Sequence, residues 1–429
     1  MGKRILMTTT GSLGDLHPFI AIGLDLRSRG HDITLATSNF YRSKVEQTGL
    51  RFAPMGPHLE LEISKVMDRV MDLKKGPEYL VRQILYPSVP AAYAEVMDAA
   101  RGADLIVTHP ITIAAQIVAE KTGLPWVSTV TAPLSFFSRF DPSVIATYPH
   151  LIRLRALGPS VYGTVLKLGR LQTHFWRAPL ARFRASVGLP PGLDPLFEGQ
   201  HSPQRVLAMF SSLMAAPQPD WPPNTLATGF PFYDQAEHGR EIDPDLERFL
   251  DAGPPPVVFT LGSSAVQQPG QFYHESLAAI RSLGCRAVLL TGGNSLSEPL
   301  PPGTVAFPYA PFSRIFPRAA AIVHQGGIGT CAQALASGRP MLVVPFAFDQ
   351  PDNAARLQRM GVARAIPRVN YTGRRAHLEL EQLLNDVSYA ARAAAVARKL
   401  AEENGVRTAS DAIENHILTF STIPTPPRH

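Results

Sequence analysis

Short apolar runs alternate with longer segments of helical periodicity through the first part of the chain. Each run is the length of a buried strand and ends in small or polar residues, which is typical of a parallel sheet with helices on both faces. Five such strands are predicted, at residues 4–10, 32–38, 51–55, 103–110 and 124–133. This half of the chain is therefore expected to form an α/β domain of the doubly wound, Rossmann-like kind.

Two helices and a sixth strand complete this first domain. Residues 17–28 have helical periodicity and stop at Gly30, and residues 113–121 form a second predicted helix. Residues 204–212 form the predicted last strand, because the stretch that follows is dense in proline.

A second series of strands begins after this proline-rich stretch, at residues 255–264, 286–292, 320–325 and 340–346. Near the end, Val406, Ala409, Ile413 and Ile417 recur at helical spacing. A chain of 429 residues suits two domains. We predict an N-terminal domain (1–220), a linker (221–239), a C-terminal domain (240–404) and a final helical segment (405–429) that packs back on the first domain.

Composition narrows the classes of protein. Hydrophobic residues make up 45% and charged residues 18%, as in globular proteins, and no apolar run has the length of a membrane span. The first residues lack the pattern of a secretory signal, which predicts a cytoplasmic protein. Cys285 and Cys331 are the two cysteines, too few for a disulfide framework or a cysteine-based metal site.

The positive net charge of +6 is unevenly distributed, because residues 142–193 contain no acidic residue. This basic stretch is either a solvated helix face or a surface for peripheral contact with anionic lipid or an acidic acceptor. Nucleic acid is not an expected partner, because no nucleic-acid-binding motif accompanies the charge.

The densest chemical signal follows the strand at 320–325. His324 precedes a turn containing Gly326, Gly327 and Gly329, and a helix is predicted to begin near Thr330. Glycines let the backbone approach a ligand at a helix N-terminus, where amides and the helix dipole favour a phosphate. The alternative is that the glycines only make a tight turn.

A second polar turn lies nineteen residues after Thr330, where Asp349 and Gln350 stand ahead of Asn353. A carboxylate and an amide suit the hydroxyl groups of a sugar. Together the two turns point to an activated sugar held by its diphosphate.

The pattern HQGGIGT, followed by a strand and then PFAFDQPDNAAR, resembles the donor motif of the UDP-glycosyltransferases of family 1. Within that family it is similar to the bacterial branch that resembles sterol glucosyltransferases and the rhamnosyltransferase of rhamnolipid synthesis. The resemblance implies the GT-B fold, in which two Rossmann-like domains face a central cleft. It implies an inverting hexosyltransferase that uses a UDP- or dTDP-sugar as co-substrate and needs neither cofactor nor metal.

The resemblance also assigns donor-binding roles. It implies that His324 and the glycine turn bind the diphosphate, that Asp349 and Gln350 bind the sugar, and that Ser263 adds a phosphate contact. Tyr309 stands where many relatives have a tryptophan that stacks on the base, and Gln333 where many have a glutamate that holds the ribose. The predicted donor set is Ser263, Tyr309, His324, Gly326, Gly327, Gly329, Thr330, Gln333, Asp349 and Gln350.

The loop GSLGDLHP after the first strand offers a base for the reaction. Inverting transfer needs a group that removes the proton of the acceptor hydroxyl. The resemblance puts Asp15 in this role, with His17 as its rival, and Asp15 as a mere helix cap is the alternative. His109 either lines the cleft or caps a turn and receives no role. The loop lacks the glycine spacing of a dinucleotide site, which counts against an NAD enzyme.

Acceptor recognition is the least specified part of the sequence. Family acceptor pockets are lined by loops of the N-terminal domain, so Phe136 and Phe137 are the predicted contacts for a hydrophobic acceptor that carries a hydroxyl group. The pair Asp243 and Asp245 is predicted to start a helix instead of binding a metal. A nucleotide-sugar epimerase and a non-catalytic lipid- or nucleotide-binding protein remain as alternatives.

Overall fold

A computed structural model describes residues 2–58, 63–233 and 242–421 of the chain. Residues 234–239 of the predicted linker and 422–429 of the predicted tail lie outside the described residues. The α/β prediction of two doubly wound domains is confirmed, because the strands form two separate, wholly parallel sheets that helices cover.

The first sheet contains seven strands in the order β3-β2-β1-β4-β5-β6-β7. Its strands are β1 Arg4–Thr8, β2 Asp32–Thr37, β3 Arg51–Pro54, β4 Leu105–Thr108, β5 Trp126–Val130, β6 Val206–Ala208 and β7 Thr225–Ala227. Successive side chains of a strand point to opposite faces, so Ile5 and Met7 pack in one core and Leu6 packs in another. Both faces of this sheet are therefore buried.

The second sheet contains six strands in the order β10-β9-β8-β11-β12-β13. These strands are β8 Val257–Thr260, β9 Ala287–Leu290, β10 Thr304–Phe307, β11 Ala321–His324, β12 Met341–Val343 and β13 Ala363–Ala365. Strand β11, which carries the predicted diphosphate turn, pairs with β8 and β12 in the middle of the sheet.

The helices pack on the two sheets. In the N-terminal domain they are α1 Leu13–Ser28, α2 Arg42–Gln47, α3 Ile63–Val70, α4 Gly76–Tyr79, α5 Tyr86–Ala99, α6 Ile113–Thr122, α7 Pro159–Thr173 and α8 Ala178–Ser186. Further along the chain they are α9 Pro244–Asp251, α10 Phe272–Leu283, α11 Phe312–Ile315, α12 Ile328–Ser337, α13 Gln350–Arg359, α14 Gly373–Asn385, α15 Val387–Leu400 and α16 Gly405–Ser421.

The last helix lies against the first domain. Ala409 and Ile413 of α16 are buried in one core with Leu16 and Ile20 of α1. Arg29, just after α1, forms ion pairs with Asp411 and Glu414 of α16, each with a nitrogen-oxygen distance of 2.6 Å. The chain thus crosses between the domains twice.

Two sequence predictions differ from the structure. The range 221–239 contains strand β7, which pairs in parallel with β6, so part of the predicted linker belongs to the first sheet. Helix α1 begins four residues before the predicted start at His17, because Ser12 and Asp15 form a capping box that satisfies its first amides. Asp243 does start a helix, since its side chain accepts a hydrogen bond from the amide of Asp245 at the start of α9.

Within the described ranges, no helix has both the length and the apolar character needed to cross a bilayer.

Candidate functional site

The two domains meet where the first turns of α1 and α12 face each other. The amide of Leu13 donates a hydrogen bond to Oγ of Ser263, which follows β8, over 3.2 Å. A Cβ atom added to Gly329 would lie 3.5 Å from Cα of Gly14. The carboxyl ends of strands from both sheets thus border one cleft, as expected for ligand sites in open α/β sheets.

Asp15 is held at this cleft by the loop that precedes it. Its Oδ2 atom accepts hydrogen bonds from the amide and hydroxyl of Ser12, at 2.8 and 3.1 Å. Its Oδ1 atom lies 3.2 Å from Nε2 of His109, and the Asp15 side chain remains 26% exposed whereas that of His109 is 5% exposed. The carboxylate therefore reaches the cleft with the imidazole buried behind it.

These partners set the charge of Asp15. Burial acts to raise its pKa, but the hydrogen bond and charge of His109, together with the Ser12 donors, lower the pKa below its usual value. Asp15 is thus a carboxylate at neutral pH, and a carboxylate can accept a proton. The helix cap and the candidate base are the same group, so the two alternatives for Asp15 are compatible.

Asp15 is paired with His109, whereas His17, the rival candidate for the base, lies against another ring. The ring of His17 lies 5.2 Å from the ring of Tyr233, in a tilted arrangement. His109 follows β4, which pairs with β1, and this pairing brings it beside the loop that carries Asp15. The partnership of His109 was missed, and its position at a strand end was the one signal that could have revealed it.

The glycine turn between β11 and α12 leaves backbone amides free. Gly326 has a left-handed φ of 86°, and a Cβ atom there would lie 2.8 Å from Val343 Cγ1. Gly327 occupies the N-cap of α12, and no side chain caps that helix. The first-turn amides, including those of Gly329 and Thr330, therefore present a positive end to the cleft, which is suited to an anion.

His324 adds a neutral donor beneath this turn. The amide of Gly326 donates to its Nδ1 atom over 3.1 Å, so Nε2 carries the proton of the neutral ring. Burial lowers the pKa of His324 to about 3, which keeps the ring neutral. The buried atoms His324 Nε2, Gln325 Oε1 and Asn353 Oδ1 have no hydrogen-bond partner within the described ranges.

Buried polar atoms without partners are costly unless a ligand satisfies them. Two of these side chains contact the glycine turn through the nitrogen of the same amide group: Gln325 Nε2 is 3.4 Å from Thr330 Oγ1, and Asn353 Nδ2 donates to the carbonyl of Gly326 over 2.9 Å. The third, Nε2 of His324, belongs to the ring bonded to the Gly326 amide. Their concentration at one turn indicates a polar ligand.

Asp349 forms the far side of this half of the cleft. Its Oδ2 atom accepts a hydrogen bond from Asn353 Nδ2 over 2.7 Å. Burial, with a further contribution from the negative charge of Asp15, outweighs the lowering effect of the Asn353 hydrogen bond and raises the pKa of Asp349 to about 7. The two carboxyl groups, one from each domain, thus influence each other across the cleft.

The side chain of Gln350 already forms hydrogen bonds within its own loop. Its Oε1 atom accepts hydrogen bonds from the amides of Phe346 and Ala347, at 2.8 and 3.1 Å, and the side chain is buried. Its carbonyl holds the loop that leads to Asp349, so only the NH₂ group is left for a sugar. The donor role of Gln350 stays a prediction.

Three other predicted donor contacts lie on different elements. Ser263 follows β8 and already accepts the Leu13 amide. Tyr309 follows β10 and is exposed, as a residue that stacks on a base must be, and Gln333 lies half-buried on α12. The base and ribose roles stay predictions.

Phe136 and Phe137 both pack against other aromatic rings of the first domain. Phe136 is 7% exposed and stacks on Trp221 with ring centroids 4.1 Å apart, so its ring serves the core. Phe137 packs against Phe197 at 4.9 Å. For Phe136 the predicted acceptor contact conflicts with burial, since a ring packed on all sides cannot meet a ligand.

A cavity of about 590 Å³ lies between the segment after α3 and the C-terminal domain. Met71 and Leu73 line one side, and Phe272, Phe346 and Tyr371 line the other. Phe346 lies at the end of the strand-loop segment that leads to Asp349. The size of the cavity is typical of small-molecule sites, and Asp68, Asp72, Lys74 and Arg368 add charged groups to its lining.

A buried network joins the domains behind the cleft. Arg356 of α13 donates to Asp352 over 2.8 Å and to Ser143 of the first domain over 3.2 Å, and it also pairs with Asp141. The amide of Val144 donates to Asp352 over 2.9 Å. The helix that begins after Asp349 is thereby fixed to the opposite domain.

Comparison with known proteins agrees with this geometry. Residues 5–136 match the Glycosyltransferase family 28 N-terminal domain, and residues 285–414 match the Erythromycin biosynthesis protein CIII-like, C-terminal domain. The chain is 34% identical to O-mycaminosyltylonolide 6-deoxyallosyltransferase of Streptomyces fradiae, over 99% of this chain and 100% of that protein. It is 28% identical to the vancomycin aglycone glucosyltransferase of Amycolatopsis orientalis, over 84% and 85%.

More distant relatives and solved structures extend the agreement. A sterol 3-beta-glucosyltransferase of Arabidopsis thaliana is 26% identical, over 96% of this chain and 66% of that protein. The glycotransferase of kitacinnamycin has a TM-score of 0.70 at 22% identity, over 97% and 100%. Glycosyltransferase VinC in complex with dTDP has a TM-score of 0.66 at 22% identity, over 96% and 99%. The chain belongs to the glycosyltransferases of the GT-B fold, with a family 28 N-terminal domain and an erythromycin CIII-like C-terminal domain.

Proposed function

We propose that this glycosyltransferase moves a hexose from a dTDP- or UDP-sugar to a hydroxyl group of a lipophilic small molecule, with inversion at the anomeric carbon and without a metal. The observation that carries the proposal is the opposition of Asp15 to the uncapped first turn of α12 across one cleft. A base on one side and an anion site on the other are what displacement of a nucleoside diphosphate requires.

The reaction proceeds as a single displacement. Asp15 removes the proton of the acceptor hydroxyl as that oxygen forms a bond to the anomeric carbon. The bond from the anomeric carbon to the phosphate oxygen breaks at the same time, and its electron pair leaves with the nucleoside diphosphate. Attack from the face opposite the leaving group inverts the anomeric carbon.

The leaving diphosphate is stabilised by groups of the C-terminal domain. The amides of Gly329 and Thr330, with the α12 dipole, offset its negative charge, and Nε2 of His324 donates a further hydrogen bond. In this proposal these donors perform the task that a divalent cation performs in other transferases. The complex of VinC with dTDP supports a donor in which the sugar is attached to dTDP.

The interdomain cavity and the names of the relatives support the proposed acceptor class. A volume of about 590 Å³ suits an aglycone more than a single sugar ring. Relatives named for O-mycaminosyltylonolide, vancomycin aglycone and sterols support a bulky, largely apolar acceptor.

The test is a transfer assay with a panel of dTDP- and UDP-sugars and a panel of hydroxylated aglycones. We expect release of nucleoside diphosphate that depends on the aglycone, a product heavier by one sugar residue, and unchanged rates with a metal chelator. The anomeric configuration of the product, read by NMR, tests inversion. A donor sugar that changes configuration without any aglycone would overturn the proposal in favour of an epimerase.

A further inference from the structure

The acid-free stretch of residues 142–193 forms an unusual surface. Most of α7 is not buried: within this helix, Tyr162 is the buried residue, and its hydroxyl donates to the carbonyl of Ser143 over 2.9 Å. The helix is thus attached near its beginning, and most of its length faces outward.

An exposed row of apolar side chains runs along the outward side of α7. Leu168 is 62% exposed, Leu171 is 63% exposed, and Phe175 in the following turn is 80% exposed. Together with the exposed Val161 they are spaced by seven, three and four residues, which places them on one side of the helix. We refer to Val161, Leu168, Leu171 and Phe175 as the α7 ridge.

The segment that contains the ridge also contains cations that have no ion pair among the described residues. Arg170, Arg177 and Arg184 form ion pairs with carboxylates, namely Glu198, Asp194 and Glu120. The remaining cations are exposed and have no ion pair among the residues that the structure describes: Arg153, Arg155, Lys167 and Arg182.

We propose that the α7 ridge docks the protein onto the surface of an anionic lipid bilayer. Leucine and phenylalanine side chains enter the boundary between head groups and acyl chains, and the unpaired arginine and lysine side chains lie against anionic head groups. The ridge projects outward, which suits insertion into a fluid surface.

A second copy of this chain fits the ridge poorly. A twofold symmetric contact places the same patch of both copies face to face. Here that arrangement would bring together the unpaired cations of two copies of the segment, and like charges repel. The charge of the segment therefore favours an anionic surface of different composition.

The experiment is co-sedimentation of the full chain with vesicles. With vesicles of phosphatidylcholine containing about 30% phosphatidylglycerol, we expect a bound fraction about tenfold higher than with phosphatidylcholine alone, falling as salt rises. The double variant Leu168→Ser/Leu171→Ser should lose this binding. Leu418→Ser changes a leucine of α16 that is also 63% exposed, and it should bind as the wild type does.

Two results would overturn the docking proposal. The first is equal binding to both kinds of vesicle, or equal binding by the double variant and the wild type. The second is sedimentation of the free protein as a dimer that Leu168→Ser/Leu171→Ser converts to a monomer, which would assign the ridge to self-association. The proposal does not depend on the transfer reaction, because the assay measures binding alone.

Discussion

The two halves of the cleft differ in how far the protein itself satisfies their polar groups. On the N-terminal side, Asp15 has donors from Ser12 and His109 on both carboxylate oxygens. On the C-terminal side, Nε2 of His324 is buried and has no partner among the described residues, and the first turn of α12 has no side-chain cap. One half is complete before any substrate binds, whereas the other leaves donors for a ligand to satisfy.

The two halves of the cleft also differ in how they shift the pKa of the carboxyl group that each contributes. The hydrogen bonds of Asp15 lower its pKa, whereas burial and the charge of Asp15 raise the pKa of Asp349 to about 7. A paired carboxylate keeps its charge and is ready to accept a proton, whereas a poorly paired one gains from hydrogen-bond donors such as sugar hydroxyls. The comparison therefore assigns chemistry to the first half and binding to the second.

The largest expected effect is on the base. Asp15→Asn keeps the shape and removes the negative charge, so the transfer rate should fall about a thousandfold. Binding of the nucleoside diphosphate, measured by calorimetry, should stay close to that of the wild type. His17→Gln is the control and should retain most activity; if instead His17→Gln abolishes transfer and Asp15→Asn does not, the base is assigned to the wrong residue.

The second effect is on the anion site. His324→Ala removes a buried donor to a charged ligand, so the Kd for dTDP or UDP should rise between about tenfold and a hundredfold. The uncharged nucleoside should bind with unchanged Kd in the same titration. His377→Ala, on α14 of the same domain, is the control, and equal weakening of nucleoside and diphosphate by His324→Ala would mean general damage to the domain.

A smaller effect is expected at the histidine behind the base. His109 lowers the pKa of Asp15, so in His109→Gln that pKa rises and the carboxylate becomes protonated at higher pH. The acid limb of the kcat/KM profile should move to higher pH, with about a tenfold loss on the acid side and a smaller loss above it. A uniform loss at every pH would show that His109 serves only the fold.

The smallest effect concerns the sugar side. Asp349 loses its proton as pH rises through about 7, and the carboxylate form accepts hydrogen bonds from sugar hydroxyls. The affinity for the nucleotide-sugar should therefore increase about threefold between pH 6 and pH 8, with little change for the free nucleoside diphosphate. Asp349→Asn should remove this dependence, and a variant with the wild-type pH response would exclude Asp349 as the titrating group.

Central strands could be predicted from the sequence because they are buried on both sides. The apolar runs at β1, β8 and β11 are continuous for that reason. Strands β7, β10 and β13 were not predicted, and all three lie at sheet edges, are three or four residues long and are partly exposed. Shortness and partial exposure weaken the apolar pattern of an edge strand without always hiding it, since β3, at the other edge of the first sheet, is equally short and partly exposed and was predicted.

The parts of the site that could be predicted are those whose residues are close together in the chain. The glycine turn and His324 are contiguous in the chain, so their chemistry is visible in one motif. The pairing of Asp15 with His109 joins residues 94 positions apart and depends on β4 lying beside β1. The cavity walls come from both domains, and the core packing of Phe136 depends on Trp221, so neither is visible in a local pattern.

The buried network around Arg356 bears on the construction of hybrid enzymes. A hybrid that joins this C-terminal domain to a foreign N-terminal domain would keep Arg356 and Asp352 and lose Asp141 and Ser143. Arg356 would still pair with Asp352, but its buried guanidinium would lose its other hydrogen-bond partners, which is destabilising. We therefore expect hybrids to be more stable when the loop of residues 141–144 is transferred with the C-terminal domain, even though it belongs to the N-terminal half of the chain.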